Sequence, residues 1–567
     1  MIRVGPILRA SALSGAVALA ASGAAAQPTL EADLILQGGA VYTPSGWAEA
    51  IAIEDGVIIA VGRDDDMNAY RAAGTEVIDL DGAAVLPGFH DMHVHPLGAG
   101  LAQRECTFAQ GSPPAAIVAA VRACAERRGD GEWIAGGQWD AASFGGEPVD
   151  RRLLDEAAPN NPVVLTDISG HSAWANTAAL ELAGITASTP NPPGGIIERD
   201  ADGRATGVLR ESAAGLVRRL VPPVTPEESM AALRWALDRM LEQGITSFTD
   251  AVASEATLDA YATLADEGLL KQRVRACMMW GGAAPGSGGL PSHIAHRNFY
   301  ARDRFSPTCV KLLLDGVPTD GHTAAMVEPY ADTEESEPGD RGLLMMPQDA
   351  LGAVVTRLDA IGLTVKMHAA GDAAVRAGLD AIEAARRANG VGGPMHELAH
   401  NSFVQPSDIE RAPALGATFE MSPYIWYPNP IIPDISKAVG AERMLRWIPL
   451  GDAIAAGARV VAGSDWPVVP NVNPWIAIET LVTRQAPGGE GDVLGESQKI
   501  SLEQAIELFT VNAARQLGER DRLGTIERGM LADLVVVDRN PFDISITEVH
   551  ETGVLMTFIE GELVYRK

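Results

Sequence analysis

Residues 83–96 read Ala83-Ala-Val-Leu-Pro-Gly-Phe-His-Asp-Met-His93-Val-His95-Pro96, an apolar strand-forming run that ends in two histidines spaced by two. On a strand, period-two spacing turns both imidazoles to the same face, so two nitrogens are offered to one point at the strand's end. Paired histidines of this kind also occur as hydrogen-bonded core residues. The run therefore takes its meaning from what ends the other strands.

Seven further apolar runs follow, at 244–251, 273–280, 309–316, 363–371, 395–402, 417–423 and 459–467. Helical stretches separate several of them, among others 226–243, 347–361 and 373–389. This alternation predicts a parallel sheet. Eight strands with crossovers suit a closed (β/α)8 TIM barrel better than an open sheet, and such a barrel carries its chemistry at the C-terminal ends of the strands. Residues 100–235 are too many for one strand–helix connection, which predicts an inserted lobe. Short strand-like runs at 33–62 and 522–567 look like two halves of one small β-sandwich. The expected organisation is a leader over 1–26, the first sandwich part over 27–82, the barrel over 83–520 and the second sandwich part over 521–567.

Ligand-type residues stand at the ends of several candidate strands. His368 closes the run 363–368, His400 closes 395–400, Asp465 closes 460–465, and Lys311 lies in the run 309–316. With His93 and His95 these make four imidazoles, one carboxylate and one lysine converging on one rim, a donor set suited to divalent metal. His171, in the lobe, and His322, after the fourth strand, are candidate substrate-binding residues, with a structural hydrogen bond the competing reading for each. His90, His293, His296, His396 and His550 fit no strand-end position. Trp139, Trp280, Tyr424, Trp426, Tyr427 and Trp466 fall in or beside strand-end loops or the lobe, and suggest a pocket for an apolar acyl or aromatic group. For Trp139 and Trp280, packing of the lobe onto the barrel explains the position equally well.

These segments resemble the metal-dependent amidohydrolase superfamily, within it the amidohydrolase-3 branch that includes proteins like N-substituted formamide deformylase. The resemblance runs from Leu86-Pro87-Gly88 through Gly170-His171-Ser-Ala-Trp-Ala-Asn176, Gly244-Ile-Thr-Ser-Phe-Thr-Asp250, His368-Ala-Ala-Gly-Asp372 and Gly463-Ser-Asp465-Trp-Pro-Val468 to the ending at 524–538. It implies two divalent metal ions, zinc favoured by the ligand types. His93, His95 and Asp465 would hold the more buried ion, and His368 and His400 the second. Lys311, carboxylated by carbon dioxide, would bridge them, because a carbamate offers anionic oxygens where an ammonium cannot ligate. A bridging hydroxide would attack the scissile carbonyl, with Asp465 moving the proton from water to the leaving nitrogen. Relatives usually carry Ile-Glu-His where this chain has Leu398-Ala399-His400, which puts the outer support of His400 in doubt. The activity implied is hydrolysis of a non-peptide amide C–N bond in a formamide-like or N-acyl small molecule. A hydrolase of a cyclic amide or ester on the same site is the alternative, and a non-catalytic exported binding or regulatory protein is the rival from another class.

Composition narrows the partners. A formal net charge of −30 argues against nucleic acid. No apolar run after the N-terminus is long enough to span a bilayer, so no membrane partner is expected, and a homo-oligomer is left open. The acid-rich stretch at 332–340 reads as a solvated loop. Arg3 and Arg9, a small apolar stretch at 10–21 and the A-x-A site at 24–26 have the form of an export signal, placing the chain in a periplasm or outside the cell. There Cys106 and Cys124 are placed to form a disulfide, whereas Cys277 and Cys309, inside apolar runs, read as buried thiols. N-terminal sequencing of the protein from its native envelope should begin at or near Gln27; a product starting at Met1 contradicts the export reading.

Overall fold

The computed structural model describes residues 31–567 except 104, 169, 171, 193–194, 281–289, 320, 332–338 and 427–430. The leader, most of the acid-rich stretch, His171 and Tyr427 lie outside the described residues, as does the side chain of Trp426.

Eight parallel strands form one sheet, taken in chain order round the molecule. They are β1 (Phe89–Val94), β2 (Ile245–Ala253), β3 (Arg273–Met279), β4 (Phe305–Leu313), β5 (Thr364–Ala369), β6 (Glu397–His400), β7 (Thr418–Met421) and β8 (Arg459–Ala462). Each falls within or across one of the eight sequence runs. The first and last strands are drawn together at the rim, where Asp465 N donates to His93 O at 2.7 Å and His95 N donates to Trp466 O at 2.8 Å. The chains pass so closely that a Cβ on Gly463 would stand 2.4 Å from His93 Cβ, so only glycine fits there.

Helices Pro226–Leu241, Glu255–Asp266, Gln348–Ala360, Asp372–Asn389 and Pro406–Leu415 are among those covering the outside of the barrel. The first starts on a reciprocal cap between Thr225 and Glu228, with Pro226 at its first position. Outward-facing strand residues such as Phe248, Val310, Val365, Leu398 and Phe419 pack with these helices into the main core. The opposite parity of the same strands carries charge, and that lines the interior.

Two boundaries differ from the sequence reading. The run 83–95 is two strands: Ala84–Pro87 pairs antiparallel with Leu534–Val537 in a terminal sheet, and β1 begins after Gly88. A Cβ on Gly88 would meet Thr246 at 2.5 Å, so the chain passes from sandwich to barrel at a glycine. The lobe's six-stranded sheet runs from Cys106–Thr107 to Ala205–Glu211, and Pro226–Leu241 belongs to the barrel layer. The sandwich itself is as expected: a four-stranded sheet from the N-terminal segment faces a six-stranded sheet built from both ends of the chain, with Leu36, Val41, Ile53, Val85, Val536 and Phe558 between them.

Cys106 and Cys124 are joined across the lobe, with Cα atoms 5.8 Å apart. Cys277 and Cys309 are also joined, which corrects their reading as free thiols. Both are fully buried and are register partners on β3 and β4; adjacency was legible in the sequence, but register was not. Denatured, unreduced protein should show no titratable thiol. Replacing Cys106 and Cys124 together by serine should cost about 3 kcal/mol of stability, as chain-entropy reasoning gives for a loop of this size, read from urea unfolding.

Candidate metal centre

All six strand-end candidates meet at the C-terminal end of the barrel. His93 lies in β1 and His95 just beyond it, Lys311 in β4, His368 in β5, His400 at the end of β6, and Asp465 follows β8. Asp465 Oδ1 is 3.0 Å from His95 Nε2 and 3.6 Å from His93 Nε2. Ligand atoms of His93, His95 and Asp465 all lie within 4.8 Å of one another, the spacing of groups around one ion. Lys311 Nζ is 3.4 Å from His93 Nε2. The His400 ring stands 4.7 Å from that of His93 and 4.4 Å from that of His368, centroid to centroid. His368 and His400 thus turn into the barrel mouth rather than the helical shell.

The outer ring nitrogens are engaged. His368 Nδ1 donates to Asp315 Oδ1 at 3.0 Å, and His400 Nδ1 donates to Ser422 Oγ at 3.2 Å. His93 Nδ1 donates to Glu420 Oε2. The carboxylates put the proton on Nδ1 of His93 and His368, and Ser422, whose own hydrogen points to Glu420, accepts from Nδ1 of His400, so the Nε2 lone pairs are left for a cation. Burial, then the neighbouring Lys311 and Lys366, hold the His93 imidazole well below its usual pKa; burial, then His368 and Lys311, do the same for His400. Both rings are therefore neutral. Burial and the nearby Lys366 bring Lys311 down to about 8.

Asp315 does not pair with Lys311. Besides His368 it accepts the backbone N–H groups of Ala325, Ala370 and Gly371 at 2.8–3.0 Å, pinning the loop after β4 to the end of β5. Asp91 works similarly across the barrel seam, accepting from His93 N and Ser464 N at 3.0 Å each.

Two candidate ligands sit on left-handed backbone, His400 at φ +76° and Asp465 at φ +58°. Such conformations are uncommon for non-glycine residues and cluster at functional sites. Asn401, also left-handed, locks the first bend with amide donations to Leu398 O at 2.7 Å and Glu420 O at 2.8 Å.

The weaker candidates fare differently. His322 stacks on Tyr330 at 4.1 Å and contacts Asp340 Oδ2 at 3.1 Å, within its own loop; none of these contacts is with the six. Trp139 packs with Phe144 and Trp174 in the lobe core, and Trp466 packs on Trp235 of the barrel layer. Tyr424 is fully buried. These three rings are therefore engaged in packing. The histidines set aside are structural: His90 contacts Ser247, His396 contacts Asp359, and His550 contacts Glu479.

Sequence reasoning missed the charges beneath the rim. Arg275, Lys366, Glu397 and Glu420 are all buried, and Arg275 reaches across from β3 to Glu397 on β6. A signal was present: Lys366 shares strand parity with His368, and Glu420 with Ser422, inside otherwise apolar runs. A lone charge in an apolar strand marks the inward face.

Comparison with known proteins identifies the class. The amidohydrolase family model matches residues 76–565, and the chain belongs to that family. Among curated proteins it is 29% identical to the putative amidohydrolase YtcJ of Bacillus subtilis, over 94% of this chain and 99% of that one. It is 28% identical to N-substituted formamide deformylase of Arthrobacter pascens, over 92% and 95%. An uncharacterized metal-dependent hydrolase from Pyrococcus furiosus superposes with a TM-score of 0.71 at 26% identity, covering 90% of this chain and all of that one. The protein is a hydrolase of the amidohydrolase class.

Acid should expose the buried ion pairs. Burial alone would raise Glu397, but Arg275 and Lys366 hold it at about 2. Its folded pKa lies below the unfolded value, so its stabilisation is complete above about pH 4.5 and is lost as pH falls toward 2. The shift corresponds to roughly 3 kcal/mol. The melting temperature of Glu397→Gln should accordingly vary less with pH than that of the wild type across this window.

Proposed function

We propose that this protein is an exported, binuclear metal-dependent amidohydrolase that cleaves a non-peptide C–N bond in a formamide-like or N-acyl small molecule. The observation that carries the reading is the convergence of His93, His95, Lys311, His368, His400 and Asp465, with the outer nitrogens of three rings already engaged. These donors suit divalent metal. His93, His95 and Asp465 would hold one ion and His368 and His400 the other, with Lys311 as a carbamate between them; zinc fits the ligand types. When bound, the ions would supply Lewis acidity toward a carbonyl and an activated water.

The chain's own groups do the rest. Asp465 Oδ1, which faces His95 Nε2 at 3.0 Å and His93 Nε2 at 3.6 Å, would be its metal-facing oxygen, which leaves Oδ2 to take a proton from water and return it to the leaving nitrogen. Carboxylation falls to Lys311 rather than its register partner Lys366, because Lys366 is engaged by Glu397 at 2.6 Å and Glu420 at 3.4 Å. Leu313, two residues beyond Lys311 and in register with His368, is 41% exposed although its strand is paired on both sides. An apolar side chain open to solvent at the barrel mouth favours a substrate with an apolar acyl or amine group. The formamide-cleaving relative points to the same bond type. Two disulfides support export to an oxidising compartment.

Metal-loaded wild-type protein should contain two ions per chain and turn over members of an N-acyl and formamide panel. Lys311→Ala should bind fewer than two and lose most turnover, and Lys311→Glu should recover part of the metal. Wild-type protein prepared without bicarbonate should be metal-poor and regain activity when bicarbonate and metal are added together. Full activity and unchanged metal content in Lys311→Ala contradicts the bridge.

A further inference from the structure

Glu420 is fully buried on β7, and both of its oxygens are in use. Its Oε2 accepts from His93 Nδ1. Its Oε1 accepts from Ser422 Oγ at 3.4 Å, and that hydroxyl in turn accepts from His400 Nδ1 at 3.2 Å. A carboxylate accepts only, while a hydroxyl both donates and accepts. In its ionised form, which Lys366 favours, Glu420 sets the direction of these bonds outward and leaves both rings with the lone pair on Nε2. One carboxylate orients one histidine of each proposed metal position, directly for His93 and through a hydroxyl for His400.

The carboxylate is itself held from below. Lys366 Nζ lies 3.4 Å from Glu420 Oε2 and 2.6 Å from Glu397 Oε2. Arg275 grips Glu397 from β3, and Gln516 on the helix Val511–Leu517 donates to Glu397 Oε1 at 2.7 Å. Gln516 is fixed in turn by Thr418 Oγ1 at 2.7 Å and Met395 O at 2.8 Å. Turning Glu420 away would break its contacts with His93 on β1, Lys366 on β5 and Ser422, and Lys366 is itself anchored by Glu397, so the carboxylate is preorganised before any metal arrives.

We propose that Glu420 is a positioning residue shared by both halves of the metal centre, acting on His93 directly and on His400 through Ser422. The proposal rests on the metal centre described under the proposed function, and it makes the two branches separable. In cobalt(II) titrations followed by visible absorbance, wild type should fill two positions. Ser422→Ala, a small neutral change that should fold, should loosen one position about tenfold to a hundredfold and spare the other. Glu420→Gln, nearly the same size, should loosen both and alter both cobalt spectra, with near-ultraviolet dichroism confirming the fold. Wild-type affinity in both steps for both variants overturns the proposal while leaving the binuclear reading intact. A wild type that takes up no metal overturns the binuclear reading instead. The positioning role is then judged in metal-free protein by 15N histidine spectra: Glu420→Gln should shift His93 and His400 away from the Nδ1-protonated tautomer, and unchanged tautomers overturn it.

Discussion

Arg275, Lys311 and Lys366 share the closed interior of the barrel with Glu397, Glu420 and Asp465, where all six side chains are largely withdrawn from water. A buried charge without its partner costs several kcal/mol, so these groups constrain one another more tightly than the apolar shell constrains any of them. Lys366 satisfies two carboxylates at once, and Arg275 and Gln516 secure the lower one. Among the described residues no two acids bracket Lys311 in this way; its contact is with His93. Adding two divalent cations to an ammonium there would concentrate positive charge, whereas a carbamate reverses the sign at that point. The same electrostatic set thus explains why one lysine is a structural cation and its register partner a proposed ligand.

Backbone geometry brings these charges to the rim. Strand parity alone would send His400 toward the helices, because Glu397 faces inward and His400 lies three residues on. The left-handed turn at His400 and Asn401 changes that, and Asn401 amide bonds hold it. Asp465 leaves β8 in the same way, while its N–H ties the last strand to the first through His93 O. Seam closure and ligand placement are therefore one structural feature.

Much of this was legible in the sequence, and the parts that were not share a physical cause. Eight strand runs, the sandwich made from both ends, and the six rim residues follow from periodicity and local residue type. Gly88 was read as interior to one strand because nothing local shows that β1 begins a new sheet there. Cys277–Cys309 and Glu420–His93 join strands whose register cannot be read from either segment alone. The doubt raised by Ala399 disappears for the same reason: outer support of His400 comes from Ser422, just past the neighbouring strand. For the aromatic residues, sequence gives position in the chain but not packing partners, and Trp139 and Trp466 find theirs in other rings.

The central claim is that these residues hold two metal ions bridged by a modified lysine. Anomalous diffraction from crystals grown with zinc and bicarbonate tests it most directly. The account predicts two peaks, one among His93, His95 and Asp465 and one beside His368 and His400, with electron density extending from Lys311 Nζ between them. A single peak, with Lys311 ending at its ammonium, would contradict it.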